Sequence, residues 1–204
     1  MTMLPDFKLE TYLGKWEFAA RYHMTASDMQ ALTIKELLAL ASHADRAAFE
    51  TLPLRYIETY GTPPLRAAIA ATYQGLQPDD VLCFAGAEEG IFCAMHAILT
   101  KDDHAVVVTP NYQSTEEIPL SICAVSGVAL RAEENWRLDL DDVRAALWPN
   151  TKLVAINFPH NPTGKIIDRA TFDELVKLCG ERGIYLLSDE VYRGLERSPA
   201  LRLP

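Results

Sequence analysis

Two short stretches, NFPHNPTGK at residues 157–165 and LLSDEVYRG at residues 186–194, decide how the whole chain is read. The first crowds two prolines, a histidine, two asparagines and a glycine into the end of the apolar run KLVAINF and the turn that follows it. The second ends the apolar run IYLL on Asp189 and reaches Tyr192 three residues later. Each reads as a strand that stops in a polar turn. Asn161 precedes Pro162, which pushes its backbone toward an extended conformation and holds its side-chain amide out of the turn.

Working outward, the same alternation recurs. VLCFAG (81–86) reads as a buried strand and EEGIFCAMHAIL as an apolar helix. HAVVVTP is a second strand, followed by a helical stretch over about 115–121 and a short strand near Val128. The helix LDLDDVRAALW, the strand KLVAINF, the helix TFDELVKLCGE and the strand IYLLSDE complete the series. Strands of four to seven apolar residues separated by helices predict an α/β fold with a largely parallel sheet covered on both faces. Upstream, Thr33 and Glu36 have the spacing of a capping box, and a helix is expected from about Pro64 to Tyr73 after the turn at Gly61. Residues 1–50 lack the alternation and are expected to form an N-terminal arm and a segment of a second, smaller domain, with 51–204 as the large domain.

The chain has 204 residues, with 49% apolar and 23% charged, as in ordinary globular proteins. A net charge of −9 argues against a nucleic-acid surface, and no apolar run approaches membrane-spanning length. The first residues mix charges and aromatics, unlike a secretory signal, and Cys83, Cys93, Cys123 and Cys179 have no paired spacing. Buried free thiols in a cytoplasmic protein are expected.

In parallel sheets, ligands sit beyond the carboxyl ends of the strands. Gly86, Tyr112, Asn161 and Asp189 all fall there. The amides of Ala87 and Glu88 open a helix and favour a phosphate, although the Glu88 carboxylate opposes one and any strand-to-helix turn has the same pattern. Asp189 is either a helix N-cap or a carboxylate that faces a cationic or proton-donating partner. Tyr192 either hydrogen-bonds a ring oxygen or packs. Tyr112 has the place to stack on a flat ligand. His160 is either a base or a solvated loop residue, and the second is the commoner fate.

The pair NPTG and SDEVY, with YGTPPLRAAIA, the turn at Gly86, the P-x-Y at Tyr112 and LDLDDVRAAL, resembles the class I/II aminotransferases, pyridoxal-phosphate (PLP) enzymes of fold type I. The resemblance runs from about Tyr56 to Glu196. It implies the three-layer αβα large domain of that fold, incomplete here, with pyridoxal 5′-phosphate as cofactor. It further implies that Asp189 pairs with the pyridine nitrogen, that Asn161 and Tyr192 hydrogen-bond the ring's phenolic oxygen, and that Tyr112 stacks on the ring. The backbone at Gly86, Ala87 and Glu88 would hold the phosphate. Tyr56 matches a tyrosine that reaches the cofactor of a neighbouring subunit, which implies a homodimer with shared active sites.

The family's Schiff-base lysine lies beyond the SDEVY tyrosine. Here the last lysine is Lys177 and twelve residues follow Tyr192, while Lys165 matches a variable surface position. The substrate-carboxylate arginine is also missing. The chain is therefore expected to be about the first half of such an enzyme, inactive alone, with an open sheet edge. The activity implied is amino transfer from an amino acid to a 2-oxo acid. The alternatives are an inert cofactor-binding or dimer-forming half-enzyme, or a lyase, cyclase or oxidase of the same fold. The segment 7–40 resembles a branch with natural-product enzymes such as arginine-derived cyclases, in which TASD (25–28) would lie over the site mouth.

Overall fold

The computed structural model describes residues 4–25 and 27–204. Ala26, within the TASD stretch, lies outside the described residues. The chain divides into two compact units, one of residues 10–83 and one of residues 1–9 with 84–204.

The elements of the first unit are helical: α1 (Lys8–Trp16), whose first two residues belong to the other unit, α2 (Ile34–Leu40), α3 (His43–Glu50) and α4 (Pro63–Ala70). The expected capping box forms: Thr33 Oγ1 accepts from the Glu36 amide, and the Glu36 carboxylate takes the Thr33 amide at 2.8 Å. The turn before α4 is pinned from two sides. Gly61 has φ +104°, and a Cβ there would come within 2.4 Å of Cys83 Sγ. Arg66 of α4 donates to the Val81 carbonyl and to Asp79, both at 3.0 Å.

The second unit alternates as expected from the sequence. It runs α5 (Ala87–Ile98), β1 (His104–Thr109), α6 (Gln113–Ile122), β2 (Ala124–Ala129), α7 (Leu140–Ala146), β3 (Thr151–Asn157), α8 (Arg169–Arg182) and β4 (Tyr185–Asp189). The four strands are all parallel, in the order β2-β1-β3-β4.

Side-chain alternation along β1 and β3 builds the layers. Val106, Val108, Val154 and Ile156 pack with Val143 of α7 and with Leu175 and Cys179 of α8. Their neighbours Ala105, Val107, Leu153 and Ala155 pack with Ile91 and Met95 of α5 and Ile118 of α6. The central stretch of a strand with both faces covered is apolar on both sides, which is why AVVV (105–108) and LVAI (153–156) read as continuous runs. After β2 the chain returns past β1, so the strand order reverses between β1 and β3, and a ligand crevice is expected at the carboxyl ends of those strands.

Two expectations are corrected. VLCFAG does not form a strand: residues 81–84 are irregular, and Leu82 and Phe84 are exposed. A strand needs a ladder partner, and among the described residues none lies beside this segment; its Cys83 amide bonds instead to the Tyr60 carbonyl at 3.0 Å. The four cysteines are free but not uniformly buried. Cys179 is buried, which pushes its thiol up to about 11, whereas Cys93 is exposed. No helix among the described residues is long and apolar enough to cross a membrane.

Candidate functional site

The carboxyl ends of β3 and β4 are adjacent, with Asn157 opposite Asp189 in the ladder. Asn157 is almost fully buried, so both ends of its amide need partners. Its Nδ2 donates to the Asp189 carbonyl (3.0 Å), and its Oδ1 accepts the Asn161 amide (2.8 Å). One side chain therefore sets the distance between the Asp189 strand end and the Asn161 turn. Sequence reasoning passed over Asn157, although an asparagine closing a fully apolar strand is the signal for it.

The turn after β3 closes on itself. The His160 amide donates to the Lys165 carbonyl and the Gly164 amide to the His160 carbonyl, both at 2.8 Å. Gly164 sits at φ +71°, the left-handed region that glycine tolerates best. From this turn Asn161 Nδ2 donates to the Tyr192 hydroxyl at 3.3 Å. Asn161, Asp189 and Tyr192 are all half-buried on one sheet edge, so the structure brings these three expected residues together.

Asp189 accepts the Val191 amide at Oδ1 (3.0 Å). Burial pushes its pKa above the usual carboxylate range; the Val191 amide and the Asn157 side chain pull it partly back, and no basic side chain is among the groups doing so. The N-cap alternative is not what forms: β4 runs into a turn at Val191, not into a helix.

His160 differs from expectation. It is 2% exposed and not solvated, with Nδ1 2.8 Å from Thr163 Oγ1 and Nε2 2.8 Å from the Pro110 carbonyl. Its pKa is lowered by burial, with the Pro110 contact opposing.

Tyr112 is the N-cap residue of α6, directly after β1, and is half-buried. Its ring meets Phe7 edge-on at 5.2 Å and 77°. Gln113 clasps the chain on both sides of Phe7, accepting the Lys8 amide (3.0 Å) and donating to the Asp6 carbonyl (3.1 Å). A contact spanning more than 100 residues leaves no local pattern, and Phe7 and Gln113 were not anticipated. Gly86 is the N-cap of α5 at φ +128°, and Gly86, Ala87 and Glu88 are exposed. The Ala85 amide donates to the Glu89 carboxylate at 2.7 Å, and the first amides of α5, as at any helix start, have no intrahelical acceptor. Tyr56 lies in the other unit, in an irregular segment, fully exposed.

Chemically, these residues offer a carboxylate, a carboxamide, two phenols and a helix N-terminus, and among the described residues Asp189 has no positive partner. Comparison with known proteins identifies the family. The profile of the family "Aminotransferase class I and II" covers residues 23–202. The chain is 31% identical to arginine–pyruvate transaminase of Pseudomonas aeruginosa over 69% of its length and 37% of the relative's. It is 32% identical to capreomycidine synthase of Streptomyces vinaceus over 94% of its length and 50% of that protein's. Among solved structures, a PLP-dependent aminotransferase from Streptococcus suis superposes with a TM-score of 0.86 at 31% identity, covering 93% of this chain and 52% of that one. The chain spans about half the length, or less, of these relatives. It belongs to the class I and II aminotransferases, a family whose cofactor is pyridoxal 5′-phosphate.

Proposed function

We propose that residues 51–204 form the cofactor-binding part of an enzyme that transfers an amino group from an amino acid to a 2-oxo acid, with residues 1–50 as an arm and a piece of a smaller domain. The observation that carries this is the arrangement of Asp189, Asn161 and Tyr192 on one edge. The half-buried Asp189 carboxyl has no basic partner among the described residues, and on the same edge a carboxamide and a phenol meet 3.3 Å apart.

These residues fit the cofactor. A carboxylate that has lost hydration gains most from a cationic N–H donor, and a protonated pyridine nitrogen is one. Asp189 would hold that proton at the ring nitrogen. Asn161 Nδ2 and the Tyr192 hydroxyl would donate to the phenolic oxygen and keep that side of the ring oriented. Tyr112, braced by Phe7, would cover one face of the ring and exclude water from it. The amides of Ala87 and Glu88, reached through the turn at Gly86, would take the phosphate; the exposed Glu88 side chain can turn to solvent. Pyridoxal 5′-phosphate, when bound, supplies an electron sink for the pair left at the substrate Cα as its proton departs. The proton-moving lysine is not among residues 1–204 in a matching position, so the 204-residue polypeptide alone is expected to form no 2-oxo acid. Tyr56 would serve the site of a second subunit in a homodimer, and the enzyme would be a cytoplasmic one of amino-acid metabolism.

The greater share of this chain matched by capreomycidine synthase than by the transaminase supports a second reading, a cyclase or lyase on the same cofactor. One experiment separates the two. The protein purified from its own source is incubated with pyridoxal 5′-phosphate, a panel of amino acids and a 2-oxo acid acceptor. Amino transfer predicts a new 2-oxo acid matched one-for-one by a new amino acid. A cyclised or eliminated product, without consumption of the acceptor, supports the second reading, and no turnover of any amino acid overturns both.

A further inference from the structure

The imidazole of His160 lies where the strand order reverses, between the loop that follows β1 and the loop that follows β3. Its partners fix its protons. The Pro110 carbonyl can only accept, so Nε2 carries a hydrogen and donates it across 2.8 Å. In the neutral ring Nδ1 is then an acceptor and takes the Thr163 hydroxyl proton, also at 2.8 Å. The Thr163 oxygen accepts the Lys165 amide at 3.2 Å. The chain from Lys165 through Thr163 and His160 to Pro110 therefore has a donor and an acceptor at every joint, and the ring at its centre is buried. A buried imidazole with both nitrogens satisfied holds one geometry, because displacing it strands a ring nitrogen without water.

The two ends of the chain carry different parts of the site. Asn161 follows His160 directly, and Asn111 and Tyr112 follow Pro110 directly. We infer that His160 is a positioning residue: as the Nε2–H tautomer it bridges the two loops and sets the separation between the Asn161 carboxamide and the Tyr112 ring. That this separation frames a cofactor ring rests on the function proposed above; the bridge itself does not. Burial, which lowers the pKa of His160, acts in the same direction by keeping Nδ1 free to accept.

Three readouts test it. In the unaltered 204-residue chain at pH 7, nitrogen NMR of the ring should show a protonated Nε2 and an unprotonated Nδ1; the opposite tautomer overturns the inference. Hydrogen exchange is then compared between His160→Gln, whose side-chain amide keeps a donor within reach of Pro110, and His160→Asn, which is too short. In His160→Asn, exchange should rise roughly tenfold at the Asn161 amide and also at the Asn111 and Tyr112 amides, the loss of about one hydrogen bond's worth of protection. In His160→Gln the Asn111 and Tyr112 amides should stay within about threefold of the unaltered chain. A rise confined to residues 160–165 in both variants overturns the bridge. Finally, pyridoxamine 5′-phosphate, the amine form of the cofactor, which makes no bond to lysine, should bind roughly tenfold more weakly to His160→Asn and near-normally to His160→Gln. If the unaltered chain does not bind it at all, the proposed function falls, and the tautomer and the exchange pattern still decide the role of His160.

Discussion

Two buried histidines occupy opposite ends of the same sheet and do different work. His104 opens β1 at the amino end, fully buried, with Nδ1 2.8 Å from Thr151 Oγ1 on β3 and Nε2 3.0 Å from Ser126 Oγ on β2. Its ring stacks on Trp148 at 4.1 Å and 7°. His160 stands at the carboxyl end, on a hydroxyl and a carbonyl. Hydroxyls both donate and accept, so His104 is satisfied in either tautomer, whereas the Pro110 carbonyl admits only one at His160. The amino end thus ties three strands together, and the carboxyl end ties two loops in one defined geometry. The amino end of the sheet is built for stability, and the carboxyl end is held ready for the candidate site.

The comparison breaks most visibly on stability. Replacing His104 by Ala removes a ring from a closed site and strands the Thr151 and Ser126 hydroxyls, so urea unfolding should show a loss of about 3 kcal/mol. Under conditions where the variant is folded, its affinity for pyridoxamine 5′-phosphate should stay within about threefold of the unaltered chain. A stability change below ~1 kcal/mol would remove the amino-end tie from the account.

Asn161→Ala should do the reverse. It leaves the fold within about 1 kcal/mol, since the side chain is half-buried and gives up one 3.3 Å contact to Tyr192, and it weakens pyridoxamine 5′-phosphate binding roughly tenfold. A titration that shows no change would remove Asn161 from the site.

Acid sharpens the contrast between the two rings. Burial holds the pKa of both imidazoles below the ordinary histidine value. A depressed folded value means the neutral form is favoured by folding. The stability that each ring carries is then full above pH ~6.5 and is lost as pH falls through the folded values. The melting temperature should be flat from pH 7 to 8 and should fall below ~6.5, and the fall should shrink when either histidine is replaced by glutamine. Asp189 has the opposite sign. Its raised value means that folding favours the protonated acid, so its contribution is full below the ordinary aspartate range, near 3.9, and is lost as pH rises through the folded value. Asp189→Asn should accordingly raise the melting temperature of the cofactor-free chain by ~2 °C at pH 7.

Much of this was legible in the sequence where the physical cause is local. The stretches AVVV (105–108) and LVAI (153–156) are apolar throughout because both faces are covered, Asp189 stands out because a polar group closing a strand needs a partner, and Asn161 because the following proline holds its side chain out of the turn. What could not be read depends on residues distant in sequence. VLCF has strand composition, but composition does not supply a neighbour to pair with. The burial of His160 depends on a carbonyl 50 residues upstream, and the bracing of Tyr112 depends on Phe7. Asn157 lies between these cases: its place at the end of an apolar strand was visible, its two-way bridge was not. Helix α1 carries Leu9, Tyr12, Leu13 and Trp16 at helical spacing, a stripe that is present in the sequence although none of these residues is buried.

The central claim is that the carboxyl end of this sheet grips a pyridine ring through Asp189. The most direct test is calorimetric titration of pyridoxamine 5′-phosphate into the 204-residue chain and into Asp189→Ala at pH 7. Binding should be saturable and one-to-one and should weaken at least tenfold in the variant, about the worth of one charge-assisted hydrogen bond. Equal affinity in the two proteins would contradict the claim.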